Sequence, residues 1–118
     1  MKKAVVILRP NMYTQTKRVL EQEGFSSFSA ASVHGCGKKA IPMSAADNSV
    51  ASSDNTAHRF VAKKMLIVYI RDEDEEPFVR AIFSVNSTGN AGDGKIFIIP
   101  VSRVVRIRTN ETDENALL

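Results

Sequence analysis

The chain is predicted to form a single α+β domain over residues 1–118, a sandwich of two helices on one face of a sheet with its elements in split βαβ order. Three observations carry this. Short apolar runs closed off by Pro or Gly alternate with stretches of helical spacing. Strand, helix, strand is followed, after a long connection, by strand, helix, strand. A length of 118 residues at 43% hydrophobic composition allows one modest core but not two.

Each element has its own signal. Ala4 to Leu8 is a continuous apolar run that Arg9-Pro10 ends, because proline has no N–H to extend a ladder; it predicts the first strand. From Asn11 to Glu23, Met12, Thr16, Val19 and Leu20 recur at helical spacing among Lys17, Arg18, Glu21 and Gln22, and Gly24 stands at the C-cap. Phe25 to His34 alternates weakly, Phe28 and Ala30 against Ser27 and Ser29, until Gly35 and Gly37 break it. Residues 37–58 carry serines, Asn48, Asn55 and Pro42 with no period of either kind, and a connection that long in so small a domain is expected to be functional. Phe60 to Ile70, rich in Met65, Leu66, Ile67, Val68, Tyr69 and Ile70, predicts the third strand. The run Asp72-Glu73-Asp74-Glu75-Glu76-Pro77 suits a solvated helix start, since acids favour the positive end of the helix dipole. Phe78, Val79, Ile82, Phe83 and Asn86 continue that helix to about Ser87, where Thr88-Gly89 stops it. Ile96 to Ile99 and Val101 to Thr109 predict the last strands, the second as a short hairpin arm ahead of a C-terminal segment at 109–118. The helices cover one sheet face only. The other also carries apolar residues, so an oligomer is expected.

Composition excludes several classes. The 16 Lys and Arg are scattered among 13 Asp and Glu for a net +3, too balanced for a general nucleic-acid binder. No apolar run approaches the roughly 18 to 20 residues that span a bilayer, and Met1 to Pro10 does not read as a secretory signal, so a cytoplasmic protein without membrane insertion is expected. The single cysteine, Cys36, has no second thiol for a disulfide or a zinc pair. His34 and His58 lie far apart with no carboxylate at ligand spacing, so no metal site is expected. No Ser-His-Asp or Cys-His arrangement is defensible, and the chain is not expected to be an enzyme.

One stretch does carry chemistry. Thr88-Gly89-Asn90-Ala91-Gly92-Asp93-Gly94-Lys95-Ile96-Phe97 places a glycine-rich turn and a lysine ahead of Arg106-Ile107-Arg108-Thr109. Glycines let backbone N–H groups face an anion unobstructed, and a strand period of two would set Arg106 and Arg108 on one face; together they read as a phosphate site.

These segments, with Gly35-Cys36-Gly37-Lys38, resemble the P-II nitrogen-regulatory signal-transduction family, whose counterparts read T-G-x-x-G-D-G-K-I-F, R-I-R-T and G-x-G. Ile7-Leu8-Arg9-Pro10 and Glu114-Asn115-Ala116-Leu117 are similar too, so the likeness spans the chain. The resemblance implies a homotrimer of ferredoxin-like βαββαβ subunits, with ATP or ADP in clefts between neighbours, 2-oxoglutarate sensed beside the nucleotide, and residues 37–58 as a mobile effector loop. By position it implies that Gly89, Gly92, Asp93, Gly94 and Lys95 hold phosphate with Gly37 and Lys38. It implies further that Arg106 and Arg108 reach phosphates from the adjoining subunit, that Ser29 stands near the adenine, and that Lys63 meets the effector's carboxylate.

The chain departs from that pattern in places. Lys39 stands where the family has a glutamine; an ammonium has no lone pair for a cation, which leaves Mg2+ open and makes Lys39 a direct contact for effector or phosphate, or a solvated side chain. Ile67 replaces a glutamate on the third strand, and Asn110 replaces a glycine. The only tyrosines, Tyr13 and Tyr69, lie outside the loop, so uridylylation or adenylylation has no acceptor there, and Ser44, Ser49, Ser52 and Ser53 read as flexible loop rather than phosphorylation sites. Loop length and Gly24-Phe25-Ser26-Ser27-Phe28 make the chain similar to the nitrogenase-associated branch. The implied function is control of a target, nitrogenase first, with an ammonium channel or glutamine synthetase as alternatives. An ATP-hydrolysing enzyme would need a residue to orient water, and an RNA-binding module of this fold would need aromatics on its central strands; neither is found.

Overall fold

The computed structural model describes residues 1–36 and 60–117, so Gly37, Lys38, Lys39 and the rest of the expected loop lie outside the described residues. Strand β1 runs Lys2–Leu8, and a 3-10 turn at Pro10–Met12 leads into helix α1, Tyr13–Gln22. Strands β2, Ser29–Cys36, and β3, Phe60–Ile70, follow. A second 3-10 turn, Asp72–Asp74, opens helix α2, Glu75–Asn86; then come β4, Lys95–Pro100, and the short helix α3, Glu114–Leu117. No described helix is long and apolar enough to cross a membrane.

The four strands pair antiparallel in the order β2-β3-β1-β4, which confirms the ferredoxin-like α+β sandwich. Period two sorts each strand. Ala4, Val6 and Leu8 of β1 and Leu66, Val68 and Ile70 of β3 point inward with Leu20 of α1 and Phe78, Ala81 and Ile82 of α2. Phe25 caps this core edge-on to Phe78, ring centroids 5.3 Å apart. Between the helices, the Asn86 side-chain amide donates to the Thr16 hydroxyl at 3.0 Å and to the Ile82 carbonyl at 3.0 Å, and Thr16 donates to the Met12 carbonyl at 2.7 Å.

The acidic run is the exposed helix start expected of it, with Asp72, Glu73 and Glu76 open to solvent, and ion pairs run through it. The Met1 amine pairs with Asp72 at 2.8 Å, Lys2 with Glu75 at 2.7 Å and Arg71 with Asp74 at 2.9 Å, so the start of β1 is tied to the start of α2.

The opposite sheet face presents Val5, Ile7, Met65, Ile67, Tyr69, Phe97 and Ile99, with Tyr69 and Phe97 each 49% exposed. This is the uncovered apolar face that the helix count required.

Three of the expected strands differ from the observed ones for a lateral reason. β1 begins two residues before its apolar run, because Lys2 is already paired with Ile70 and Pro100. β2 begins at Ser29, because Phe25 and Phe28 turn into the core instead of extending a ladder. The strand expected over Val101 to Thr109 does not form. Past the hydrogen bond from the Val101 N–H to the Met1 carbonyl the ladder with β1 stops, and among the described residues Val105 alone of this stretch makes a bridge, to Thr112. The hairpin arm exists, but residues 107–109 are its turn, with Asn110 left-handed at φ 59°. Arg106 and Arg108 therefore do not share a strand face, which corrects the geometry expected of them.

Candidate functional site

The glycine-rich segment is folded by one carboxylate. Asp93 accepts the Thr88 N–H at 2.7 Å, the Gly89 N–H at 3.0 Å and the Thr88 hydroxyl, while the Asn90 N–H donates to the Thr88 hydroxyl at 3.2 Å. The Thr88 hydroxyl and N–H, then Arg9 and the Gly89 N–H, hold the Asp93 carboxyl well below the usual carboxylate range, against an opposing effect of partial burial. Asp93 is thus the organiser of the turn, its oxygens already taken by the chain itself.

Two glycines make the fold of this turn possible. Gly94, at φ +113°, lies so close to β1 that an added Cβ would stand 1.8 Å from the Ile7 carbonyl oxygen. Gly92, at φ +98°, lies under the Arg9 guanidinium, 3.2 Å from where its Cβ would be.

Two cations grip the turn from behind. β3 outruns β1, whose last paired residue is Leu8 opposite Lys64, so Lys63 and Arg9 stand together past the end of that ladder. Arg9 Nη1 donates to Asp93 at 2.7 Å and Nη2 to the Ala91 carbonyl at 2.9 Å, and Lys63 Nζ donates to the Gly92 carbonyl at 2.9 Å. Burial first, then the neighbouring Arg9, pushes the Lys63 amine below its ordinary pKa, with Asp93 opposing.

This grip decides where the turn's donors point. In a trans peptide the C=O and the following N–H lie on opposite sides, and no cis bond occurs among the described residues. With the Ala91 and Gly92 carbonyls turned to Arg9 and Lys63, the Gly92 and Asp93 N–H groups face away from those cations, and neither makes a hydrogen bond of ordinary length and angle among the described residues. Successive free N–H groups on one side of a turn form an anion-binding concavity. The exposed Lys95 ammonium, without a partner among the described residues, begins β4 directly beside it, on the uncovered sheet face opposite Ile7.

The structure therefore brings Lys63, Gly89, Gly92, Asp93, Gly94 and Lys95 together. It does not bring Ser29 there. One cross-strand row runs Phe97, Val5, Ile67, Ser29, which puts Ser29 three strand spacings from β4, roughly 14 Å. Arg106 is held on its own arm, donating to Glu111 at 3.1 Å and to the Ala116 carbonyl at 3.4 Å, while Arg108 is exposed in the arm's turn. Arg9 and Thr88 were missed in the sequence. Thr88 could have been found from its spacing to Asp93, a short polar side chain beside a turn; Arg9, 84 residues before Asp93, gives no local signal.

Comparison with known proteins agrees along the chain. The family model described as "Nitrogen regulatory protein P-II" matches residues 1–111. "Nitrogen fixation nifHD region GlnB-like protein 2" of Methanobacterium ivanovii is 41% identical over 122 residues, covering 100% of both chains. The protein of the same name from Methanococcus maripaludis is 40% identical, over 99% of this chain and 100% of its own. Among solved structures, Arabidopsis thaliana PII bound to citrate superposes with a TM-score of 0.75 at 28% identity, covering 98% of this chain and 88% of that one.

Proposed function

The chain belongs to the nitrogen regulatory protein P-II family, and from that premise we propose a non-catalytic regulator that binds ATP or ADP, senses 2-oxoglutarate and controls nitrogenase. The observation that carries the ligand reading is the pair of outward N–H groups at Gly92 and Asp93 beside the unpartnered Lys95 ammonium. A polyphosphate satisfies both donors and the cation at once. The base then lies along the apolar row of Val5, Ile67 and Phe97.

A homotrimer completes the site. The uncovered apolar face needs a partner surface, and Ser29, too far from its own turn, serves the site of a neighbour. Arg106 and Arg108 approach phosphate across the same seam, with Gly37 and Lys38 on the loop side, and Lys63 with Lys39 receives the effector carboxylates. The citrate named for the Arabidopsis relative supports recognition of a polycarboxylate in this fold. Mg2+ is left out of the reading because Lys39 has no lone pair to give it. Ligands that prefer different conformations of the loop at 37–58 shift which one docks on the target, in the cytoplasm. The nifHD region named for the relatives favours nitrogenase over an ammonium channel or glutamine synthetase.

Calorimetry on the purified assembly tests this. ATP and ADP bind without sustained phosphate release, and Lys95→Ala weakens both by about tenfold or more, as loss of a charge-assisted contact does. Steady turnover, or unchanged affinity in Lys95→Ala, would overturn it. A pull-down with ATP plus 2-oxoglutarate against ADP then identifies the target, nitrogenase being the expected capture.

A further inference from the structure

We propose that Arg9 is a positioning residue for the phosphate turn, setting the direction of its N–H donors without touching the ligand; this rests on the nucleotide reading above and deepens it. The chain leaves β1 at Leu8 and enters the 3-10 turn at Pro10, so Arg9 is the single extended residue between two fixed elements, at φ −67° and ψ 138°. Its side chain, 29% exposed, crosses to a turn 84 residues away and takes two acceptors there, the Asp93 carboxylate at 2.7 Å and the Ala91 carbonyl at 2.9 Å.

A planar guanidinium can hold both at once because its N–H groups form a rigid fork, whereas a lysine ammonium is a point charge on a flexible stem. The first contact anchors the carboxylate that folds residues 88–93. The second turns the Ala91–Gly92 peptide so that the Gly92 N–H faces outward. Gly92 itself makes the contact possible, since a Cβ there would press on Nη2 at 3.2 Å. Arg9 thus acts from behind the turn, on the side opposite the free donors.

Binding of ADP to the full-length protein, measured for wild type, Arg9→Lys, Arg9→Ala, Asp93→Asn and the double variant Arg9→Ala/Asp93→Asn, tests this. Arg9→Ala weakens ADP on the order of tenfold, and the double variant is weakened by less than the product of the two single effects, because both act through one contact. Arg9→Lys keeps the charge, loses the fork and matches Arg9→Ala within about twofold. The 15N–1H resonances of Gly92 and Asp93 move in both Arg9 variants while far-UV circular dichroism does not change. Wild-type affinity in Arg9→Lys, independent effects in the double variant, or stationary Gly92 and Asp93 resonances each overturn the role of Arg9. A wild type that binds no nucleotide overturns the nucleotide reading alone, and the resonances, which need no ligand, then decide whether Arg9 positions the turn.

Discussion

The turn at residues 88–94 shows how few side chains decide a site. Gly94→Ala forces a Cβ onto the Ile7 carbonyl at a positive φ, and the backbone has no flexible side chain there to yield. We expect a loss of roughly 2 kcal/mol or more in urea unfolding. Asp93 carries a pH signature. Its folded pKa is depressed, so its contribution is complete above the ordinary carboxylate range and is lost as pH falls through that range toward the folded value. Thermal midpoints followed from about pH 7 to pH 2 should fall less steeply on the acid side in Asp93→Asn than in wild type. Of these residues, Gly92, Asp93, Gly94 and Lys95 were legible because turn chemistry is local. Arg9 was not, since a single arginine before a proline looks the same whether it is solvated or holds a turn 84 residues away.

Elements were legible to the extent that their own side chains specify them. Helices α1 and α2 follow from apolar spacing that needs no partner to be read, and the buried Thr16–Asn86 link between them is a packing event added afterwards. Thr16→Val removes the acceptor from the Asn86 amide and should cost about 1 kcal/mol in urea unfolding, and Thr16→Val/Asn86→Ala should cost less than the sum of its singles. Independent effects would show that the two side chains do not cooperate. The arm is the counterexample. Val101 to Thr109 has strand-like residues, yet a strand needs a neighbour, and past Val101 its neighbour among the described residues is its own returning segment at Thr112. The two arginines consequently sit on a hairpin turn, presented differently from the alternate positions of a ladder.

At the scale of the whole molecule, one sheet face is paid for by the helices and the other is not. Val5, Ile67, Phe97, Tyr69 and Ile99 remain on an open surface of a kind that marks association. Phe97→Asp places a charge on this face, at its β4 edge, while leaving the packed side untouched. Sedimentation should show the proposed trimer dissociating to folded monomers, and an assembly that stays intact would remove this face from the proposed interface. The proposed assembly bears on ligand binding, since a monomer would keep its turn but lose the Ser29, Arg106 and Arg108 proposed to come from a neighbour; with Phe97 also beside the proposed base, the variant should bind ADP more weakly on both counts, without any change at residues 92–95.

Short-range rules acting on the amino-acid order determined the α+β class, helices α1 and α2, and the glycine-rich turn, while the faces that β1 and β3 turn inward were set by the packed structure. The tertiary structure decided the rest: where β2 begins, that the arm turns at residues 107–109, and that Arg9 and Lys63 close on the turn from behind. The division is physical. Periodicity and backbone conformation depend on adjacent residues, whereas lateral pairing and contacts across 84 positions exist only once the sheet has brought distant segments into register.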